Sequence, residues 1–399
     1  MKSSPNPDSP NAEVIVRVAG LTDVGRTREH NEDSFVVADL TTGTTIAQPD
    51  SATLPAGSKG SLFMVADGMG GAAAGEIASA MAVDIVLGEM RTNWIAADHA
   101  EAESFVRAIK QATKAANAQI NAFATQHPEY RGMGTTATIV GLLGDTLYLA
   151  QVGDSRAYIV RAGVTRQITK DQSLMQKLIE AGEMTEEEAE HSERRNIILQ
   201  ALGPEANIKV DLTHQKIRRG DTLVLCSDGL SGQVNKDQIA EIVRREPDLM
   251  RASHRLIDLA NEAGGPDNIT VIVARFEGPG LTPAADEDEV GHRVFPLHDP
   301  RPSPAMGMDR PMTGTTPTEA MPVPGPGMVR PTPARATEHA VLPPEEAPPP
   351  PPEVSPARRS AGTPIAIALL ALLIIGAAWF VMRSTRTVTD TTGVSTPRP

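Results

Sequence analysis

Between residues 13 and 277, apolar runs of strand length repeatedly end in, or begin from, a carboxylate. Asp67 follows LFMVA, Asp154 follows LYLAQVG and Asp228 follows TLVLCS. Asp267 precedes NITVIVARF, and Glu32 and Asp33 precede the run that starts at Ser34. Any one of these on its own reads as a turn, because Asp and Gly both tolerate unusual backbone angles. Together they constrain the fold more tightly. If paired strands bring these ends to one edge, several negative charges meet there, an arrangement that is costly unless cations neutralise it. A ligand set made only of oxygen suits Mg²⁺ or Mn²⁺ rather than zinc.

Eight segments have strand character: Val14–Val18, Ser34–Ala38, Leu62–Ala66, Thr135–Gly141, Thr146–Val152, Ala157–Val160, Thr222–Ser227 and Ile269–Phe276. They are rich in β-branched and apolar residues and bounded by Gly, Asp or Pro. The three from Thr135 to Val160, joined by short Gly/Asp turns, read as an antiparallel meander. Helical periodicity marks Gly75–Met90, Leu249–Ala263 and Glu101–Gln126, where Phe105, Ile109, Ala112, Ala116, Ile120 and Phe123 share one face. Residues 41–60 read as a flexible loop. Strands and helices do not alternate as βαβ units, so the expected class is α+β with antiparallel sheets.

Composition divides the 399 residues unevenly. Residues 1–12 read as a disordered N-terminus without the apolar core of a secretory signal. Residues 13–277 can bury a core. Residues 278–360 are proline-rich, with Pro348 to Pro352 in a row, and read as a semi-extended linker that adds nothing to that core. Residues 361–382 read as a transmembrane helix, because Ile365–Met382 carries no charge and is just long enough to cross a bilayer. Arginines flank the span on both sides, so charge bias leaves its orientation open. Without a signal segment, the expectation is a single-pass protein with its large domain in the cytoplasm and residues 383–399 as a short polar tail. The net charge of −13 argues against nucleic acid as a partner. Cys226 is the only cysteine, so no internal disulfide forms.

Six pieces occur in order: GRTREHNEDSF (25–35), VADGMGG (65–71), GMGTTATIV (132–140), VGDSRAYIV (152–160), CSDGL (226–230) and GPDNITVIV (265–273). Over about residues 15–277 the chain resembles the metal-dependent protein serine/threonine phosphatases of the PPM (type 2C) family, in its bacterial form. The resemblance implies an antiparallel β-sandwich flanked by helices in four layers, αββα. It implies two Mn²⁺ or Mg²⁺ ions, bridged by Asp67, with the Gly68 carbonyl, Asp228 and Asp267 completing the site. Glu32 and Asp33 would act on the metals through water, and Asp154, with Asp228, would hold a third, weaker ion. Arg28 would clamp the substrate phosphate; Arg26 is a nearby rival, and the spacing to Asp33 favours Arg28. The implied reaction is hydrolysis of phosphoserine and phosphothreonine by direct attack of a metal-bridging water, opposing Ser/Thr kinases.

Some residues depart from that pattern. Met69 stands where eukaryotic relatives carry a histidine proposed as general acid. A thioether has no proton to give, which leaves metal-bound water or a neighbouring acid such as Asp33 as donor. Gln172 stands where many relatives have histidine. The region from about 170 to 203 resembles the variable flap beside the active site. Its helix-like stretch Ser173–Ala181 and the pair Arg194–Arg195 are candidates for substrate choice, with a solvated face the equal alternative for the arginines. His191 reads as a surface residue. Two other functions remain open: a non-catalytic phosphoprotein-binding pseudophosphatase, disfavoured because Asp67, Asp228 and Asp267 are all present, and a hydrolase of small phosphorylated metabolites.

Overall fold

Along β-strands successive side chains point to opposite faces, and here both faces are apolar. In Ser61–Met69, Leu62, Met64 and Ala66 join one buried layer while Phe63 and Val65 join another. A strand buried on both sides reads as an unbroken apolar run, which is why these segments stand out in the sequence. The structure, a computed structural model, describes residues 13–46, 50–70, 73–98, 101–190, 192–285 and 288–297. The N-terminal twelve residues, most of the proline-rich segment, the apolar run Ile365–Met382, the polar tail and His191 lie outside the described residues. Among the described residues no helix is long and apolar enough to cross a membrane.

The strands in chain order are β1 (Ile15–Asp23), β2 (Asp33–Asp39), β3 (Thr45–Ile46), β4 (Asp50–Pro55), β5 (Ser61–Met69), β6 (Gly134–Thr135), β7 (Ala137–Leu143), β8 (Thr146–Val152), β9 (Arg156–Arg161), β10 (Val164–Gln167), β11 (Asp211–Lys216), β12 (Thr222–Cys226) and β13 (Ile269–Glu277). One sheet has the order β10-β9-β12-β13-β1-β4, the other β11-β8-β7-β5-β2-β3, with β6 paired to β5. All strand pairings are antiparallel. The helices are α1 (Ala73–Met90), α2 (Ala102–Gln126), α3 (Leu174–Glu180), α4 (Glu186–Glu190), α5 (Asp228–Ser231), α6 (Lys236–Arg245) and α7 (Leu249–Glu262).

Three apolar layers separate four layers of secondary structure. Val16, Phe35, Phe63, Leu223, Ile272 and Phe276 lie between the sheets. Leu62, Met64 and Ile139 meet Val86, Phe105 and Ile109 of α1 and α2. On the other side Val224, Cys226, Val271 and Val273 meet Ile239, Leu256 and Ile257 of α6 and α7. The fold is α+β with two antiparallel sheets between helical layers. Helix α6, not anticipated from the sequence, starts in a capping box: Asn235 accepts from the Gln238 N–H, and the Gln238 side chain accepts from the Asn235 N–H.

The meander between residues 135 and 160 does not form. β7 and β8 are a hairpin, but β9 leaves that sheet and pairs with β12 in the other. The turn at Gly153–Ser155 therefore crosses from sheet to sheet. Residues 41–60 are not a plain loop either, since β3 and β4 pair as edge strands, one in each sheet. Their Thr- and Ser-rich sequence hid them because β4 keeps most of its residues exposed, as edge strands do.

The chain also stays on the domain beyond Glu277, through segment 278–297. Leu281 is 1% exposed and joins the inter-sheet layer. Arg218 pairs with Asp288, and Arg161 donates to the Asp288 carbonyl while gripping Asp221 at 2.6 Å. The Phe295 N–H donates to the Leu212 carbonyl, and the His214 N–H to the Arg293 carbonyl. These bonds cover the free edge of β11, whose N–H and C=O groups need partners. Burying a leucine this fully is worth about 2–5 kcal/mol against alanine, and in a domain of this size each kcal/mol moves Tm by about 2–4 °C. A truncation ending at residue 297 should therefore melt at least about 4 °C above one ending at residue 280. Equal melting temperatures by calorimetry would mean that the segment is not part of the folded unit.

Candidate metal centre

β2 and β5 pair so that Asp33 stands directly opposite Asp67. Each continues the face that carries Phe35 and Val37 on one strand and Phe63 and Val65 on the other. The two carboxylates thus crown the apolar layer between the sheets. Facing positions across antiparallel strands lie about 4.5–5.5 Å apart at Cβ, where like charges repel. The opposite sheet adds Asp228, at the start of α5 just after β12, and Asp267, two residues before β13. Asp154 sits on the crossover from β8 to β9. Four strand ends and one crossover bring all five aspartates to one rim of the sandwich.

Hydrogen bonds from neighbouring segments hold these groups. The Asp67 N–H donates to Thr136 Oγ1 at 2.9 Å, and Thr135 Oγ1 and the Thr136 N–H donate to the Asp67 carbonyl. Ser227 Oγ donates to Asp33 Oδ2 at 2.8 Å and accepts from the Thr270 N–H at 3.0 Å. Asn268 ties down the loop that carries Arg28 and Glu32. Its side chain accepts from the Glu32 N–H at 2.8 Å and donates to the carbonyls of Val24 and His30 at 2.9 Å each. Gly68 has an ordinary backbone angle, and the reason for glycine is space. A Cβ there would strike the carbonyl oxygens of Gly75 and Glu32. The Glu32 carboxylate lies equally tight against Gly75 in the first turns of α1, where a Cβ would sit 2.7 Å from Oε2.

Glu32, Asp33, Asp67, Asp154 and Asp228 hold their protons unusually tightly. Burial is the first cause at each, and neighbouring carboxylates add to it. Asp33 is pushed up to about 7, despite hydrogen bonds from Thr270 and Ser227 that oppose the shift. Asp154 is pushed up to about 8, with Asp228 and Asp171 reinforcing burial and Arg156 opposing it. Asp67 and Asp228 are also raised, Asp67 by Asp33 and Asp228 by Asp267 after burial, and Glu32 is raised by burial. Asp33 Oδ1 and Asp154 Oδ1 are buried and accept no hydrogen bond from any described residue. An oxygen in that position costs free energy unless something positive meets it.

A hard cation fits this donor set. Five aspartates, Glu32 and the Gly68 carbonyl offer oxygen alone, while the Cys226 thiol, pushed up to about 12 by burial, stays protonated on the α6–α7 side. Among the described residues no three of these side chains close on one point as a ready-made cage.

The rim opens into a cleft of about 610 Å³ lined by Arg28, Asp154, Asp228 and Asp267 on one side and by Met175, Gln176, Ile179, Glu186, Arg195 and Asn196 on the other. Arg28 reaches across its mouth, and its Nη2 donates to Asp267 Oδ2 at 2.9 Å, a pairing that raises its own pKa. Arg26 is not among the lining residues; its backbone N–H is tied to the Gly265 carbonyl. Arg195 lines the cleft and Arg194 does not. Met69 pairs with Gly134 across the β5–β6 bridge. The positions that sequence reasoning passed over are Thr136, Ser227 and Asn268. All three lie inside the quoted motifs, but nothing in their residue type announced that they are buried among carboxylates.

A four-layer sandwich with acidic strand ends at one rim is the architecture of a known class of phosphatases. The chain belongs to the protein phosphatase 2C family, whose model matches residues 46–265. It is 37% identical over 262 residues to the serine/threonine protein phosphatase PstP of Mycobacterium tuberculosis, covering 65% of this chain and 45% of that protein's length. It is 36% identical to the serine/threonine phosphatase stp of Listeria monocytogenes, covering 63% of this chain and 92% of the relative. Its fold is similar to a crystal structure of the catalytic domain of PstP in complex with two manganese ions, with a TM-score of 0.54 and 34% identity over 66% of this chain and 99% of that one.

Asp33 and Asp154 bind protons more tightly folded than unfolded, where an aspartate titrates near 3.9. Stability from that tighter binding is full below about pH 4 and is lost as pH rises through about 7 and about 8. The chelator-treated domain should therefore melt at steadily lower temperature from about pH 5 to about pH 8. Mn²⁺ should restore most of the loss at the upper end. A flat profile without metal would show that the rim carboxylates are not held as described.

Proposed function

We propose that the chain hydrolyses phosphoserine and phosphothreonine in proteins, using Mn²⁺ or Mg²⁺ held at the acidic rim. The observation that carries this reading is the convergence of five aspartates, two of them with a buried unpartnered oxygen, beside an arginine at the mouth of a cleft. Asp67, Asp228, Asp267 and the Gly68 carbonyl would hold two ions, Asp33 and Glu32 would act on them through water, and Asp154 with Asp228 would hold a third. When bound, the ions supply Lewis acidity that activates water for direct attack on phosphorus.

The chain's own residues position and neutralise. Arg28 presents a planar fork that takes two phosphoryl oxygens at once, and it offsets the charge that grows on them as the P–O bond breaks. Its side chain is half-exposed at the cleft mouth, so it can meet an incoming phosphate without a backbone change. Ser227 ties Asp33 to the opposite sheet, and Thr136 holds the Asp67 backbone from the neighbouring β6–β7 segment of its own sheet. In the same proposal the run Ile365–Met382 anchors the protein in a membrane as a single span, with the catalytic domain in the cytoplasm. Its partners are phosphoproteins, including Ser/Thr kinases and their substrates, and not nucleic acid.

Side-by-side assay of phosphothreonine peptides, phosphotyrosine peptides and sugar phosphates, with and without Mn²⁺, tests the substrate class. Asp228→Asn keeps the shape of the side chain and removes its charge. It should lower Mn²⁺-dependent kcat on a phosphothreonine peptide by about two to three orders of magnitude while the domain stays folded. Activity within a few-fold of wild type would remove Asp228 from the metal set. Preference for sugar phosphates over the peptides would replace the protein substrate.

A further inference from the structure

Gln172 occupies a junction that the proposed chemistry does not use. Its side chain is 8% exposed and is held at both ends of its amide. Oε1 accepts from the Gly153 N–H at 3.0 Å, and Nε2 donates to Asp211 Oδ2 at 2.9 Å. Its backbone is engaged as well. The Gln172 N–H donates to the Gly153 carbonyl at 2.9 Å, and the Gln172 carbonyl accepts from the Leu199 N–H at 2.7 Å. One residue thereby joins the Asp154 turn, the edge strand β11 and the returning arm of the flap.

Gly153 needs such a hold. Its φ of 104° is open to glycine and strained for other residues, and a glycine turn is otherwise free to relax. On the far side of Asp154 the turn is fastened again. Arg156 forks onto Asp171, with Nε and Nη2 reaching Oδ2 at 2.9 and 2.7 Å. Gln151 Nε2 donates to the carbonyls of Gly153 and Ser155 at 3.3 Å each. Residues 171 and 172 therefore hold the turn from both sides, Asp171 through Arg156 and Gln172 directly.

We propose that Gln172 is a positioning residue for Asp154, its amide setting the Gly153–Asp154 turn against Asp211 of β11. The proposal rests on the reading of Asp154 as a cation-holding carboxylate. A neutral imidazole at this position would meet the same demand, with one nitrogen accepting and the other donating. The position asks for an acceptor facing Gly153 and a donor facing Asp211, and either residue supplies both.

The test compares the full chain with Gln172→Ala, Gln172→His, Gln172→Glu and Asp154→Ala. Three quantities are read: the Mn²⁺ concentration for half-maximal hydrolysis of a phosphothreonine peptide, kcat on p-nitrophenyl phosphate at saturating Mn²⁺, and amide hydrogen exchange. Gln172→Ala loses both side-chain hydrogen bonds; losing the one that sets the Gly153 turn should raise the half-saturating Mn²⁺ about ten-fold, leaving kcat on the aryl phosphate within about two-fold. Amides 153–155 should exchange faster while β5 and β13 keep their protection. Gln172→His should match wild type, and Gln172→Glu, which keeps the acceptor but sets a carboxylate against Asp211, should resemble Gln172→Ala.

Uniform loss of protection across β5 and β13, or an unchanged Mn²⁺ dependence in both Gln172→Ala and Gln172→Glu, would overturn the proposal. So would a Gln172→His variant that behaves like Gln172→Ala. An Asp154→Ala variant with wild-type Mn²⁺ dependence would overturn the cation assignment at Asp154. In that case the exchange at residues 153–155 still reports on the clamp separately.

Discussion

Asp33 and Asp67 face each other across β2 and β5, and a like-charged pair in that register works against the sheet that contains it. The surrounding structure is built to tolerate them. Ser227 on the opposite sheet donates to Asp33, and Thr135 and Thr136 pin the Asp67 backbone. The strands beneath are buried on both faces, so the register cannot slip by one residue without turning every apolar side chain to the wrong layer. The repulsion is confined to the rim, and the apolar layers below hold it in place.

Much of this was legible in the sequence for the same reason. Strands buried on both faces appear as unbroken apolar runs, and β5, β8, β12 and β13 fall within a few residues of where those runs lie. The strand-end carboxylates were legible because Asp after an apolar run is conspicuous. What escaped was whatever depends on partners far along the chain. β4 is polar because it is an edge. β9 changes sheets because it finds β12, over sixty residues later, and nothing within VGDSRAYIV announces that choice. Segment 278–297 looked like linker because its hold on the domain comes from a few contacts, Leu281, Phe295 and the arginines at 161 and 218, spread through proline- and glycine-rich sequence.

The sheet change has a direct bearing on the site. A meander would have left Asp154 on the same sheet as Asp67, pointing along its edge. Because β8 and β9 belong to different sheets, the turn between them spans the sandwich, and Thr136 Oγ1 meets Ser155 Oγ at 2.8 Å beneath it. That hydroxyl pair joins the turn to the backbone segment holding Asp67. The site is therefore assembled across both sheets, and no single supersecondary unit contains it.

Cys226 lies one residue from Ser227 and two from Asp228, yet it faces the opposite way, fully buried among the side chains of α6 and α7. Burial pushes its thiol up to about 12, so at neutral pH it stays protonated, and the thiolate is the form that oxidants attack. In the proposed mechanism, hydrolysis relies on oxygen ligands and an arginine and has no sulfur to lose. Peroxide concentrations that would silence a cysteine nucleophile should therefore leave a centre of this kind untouched.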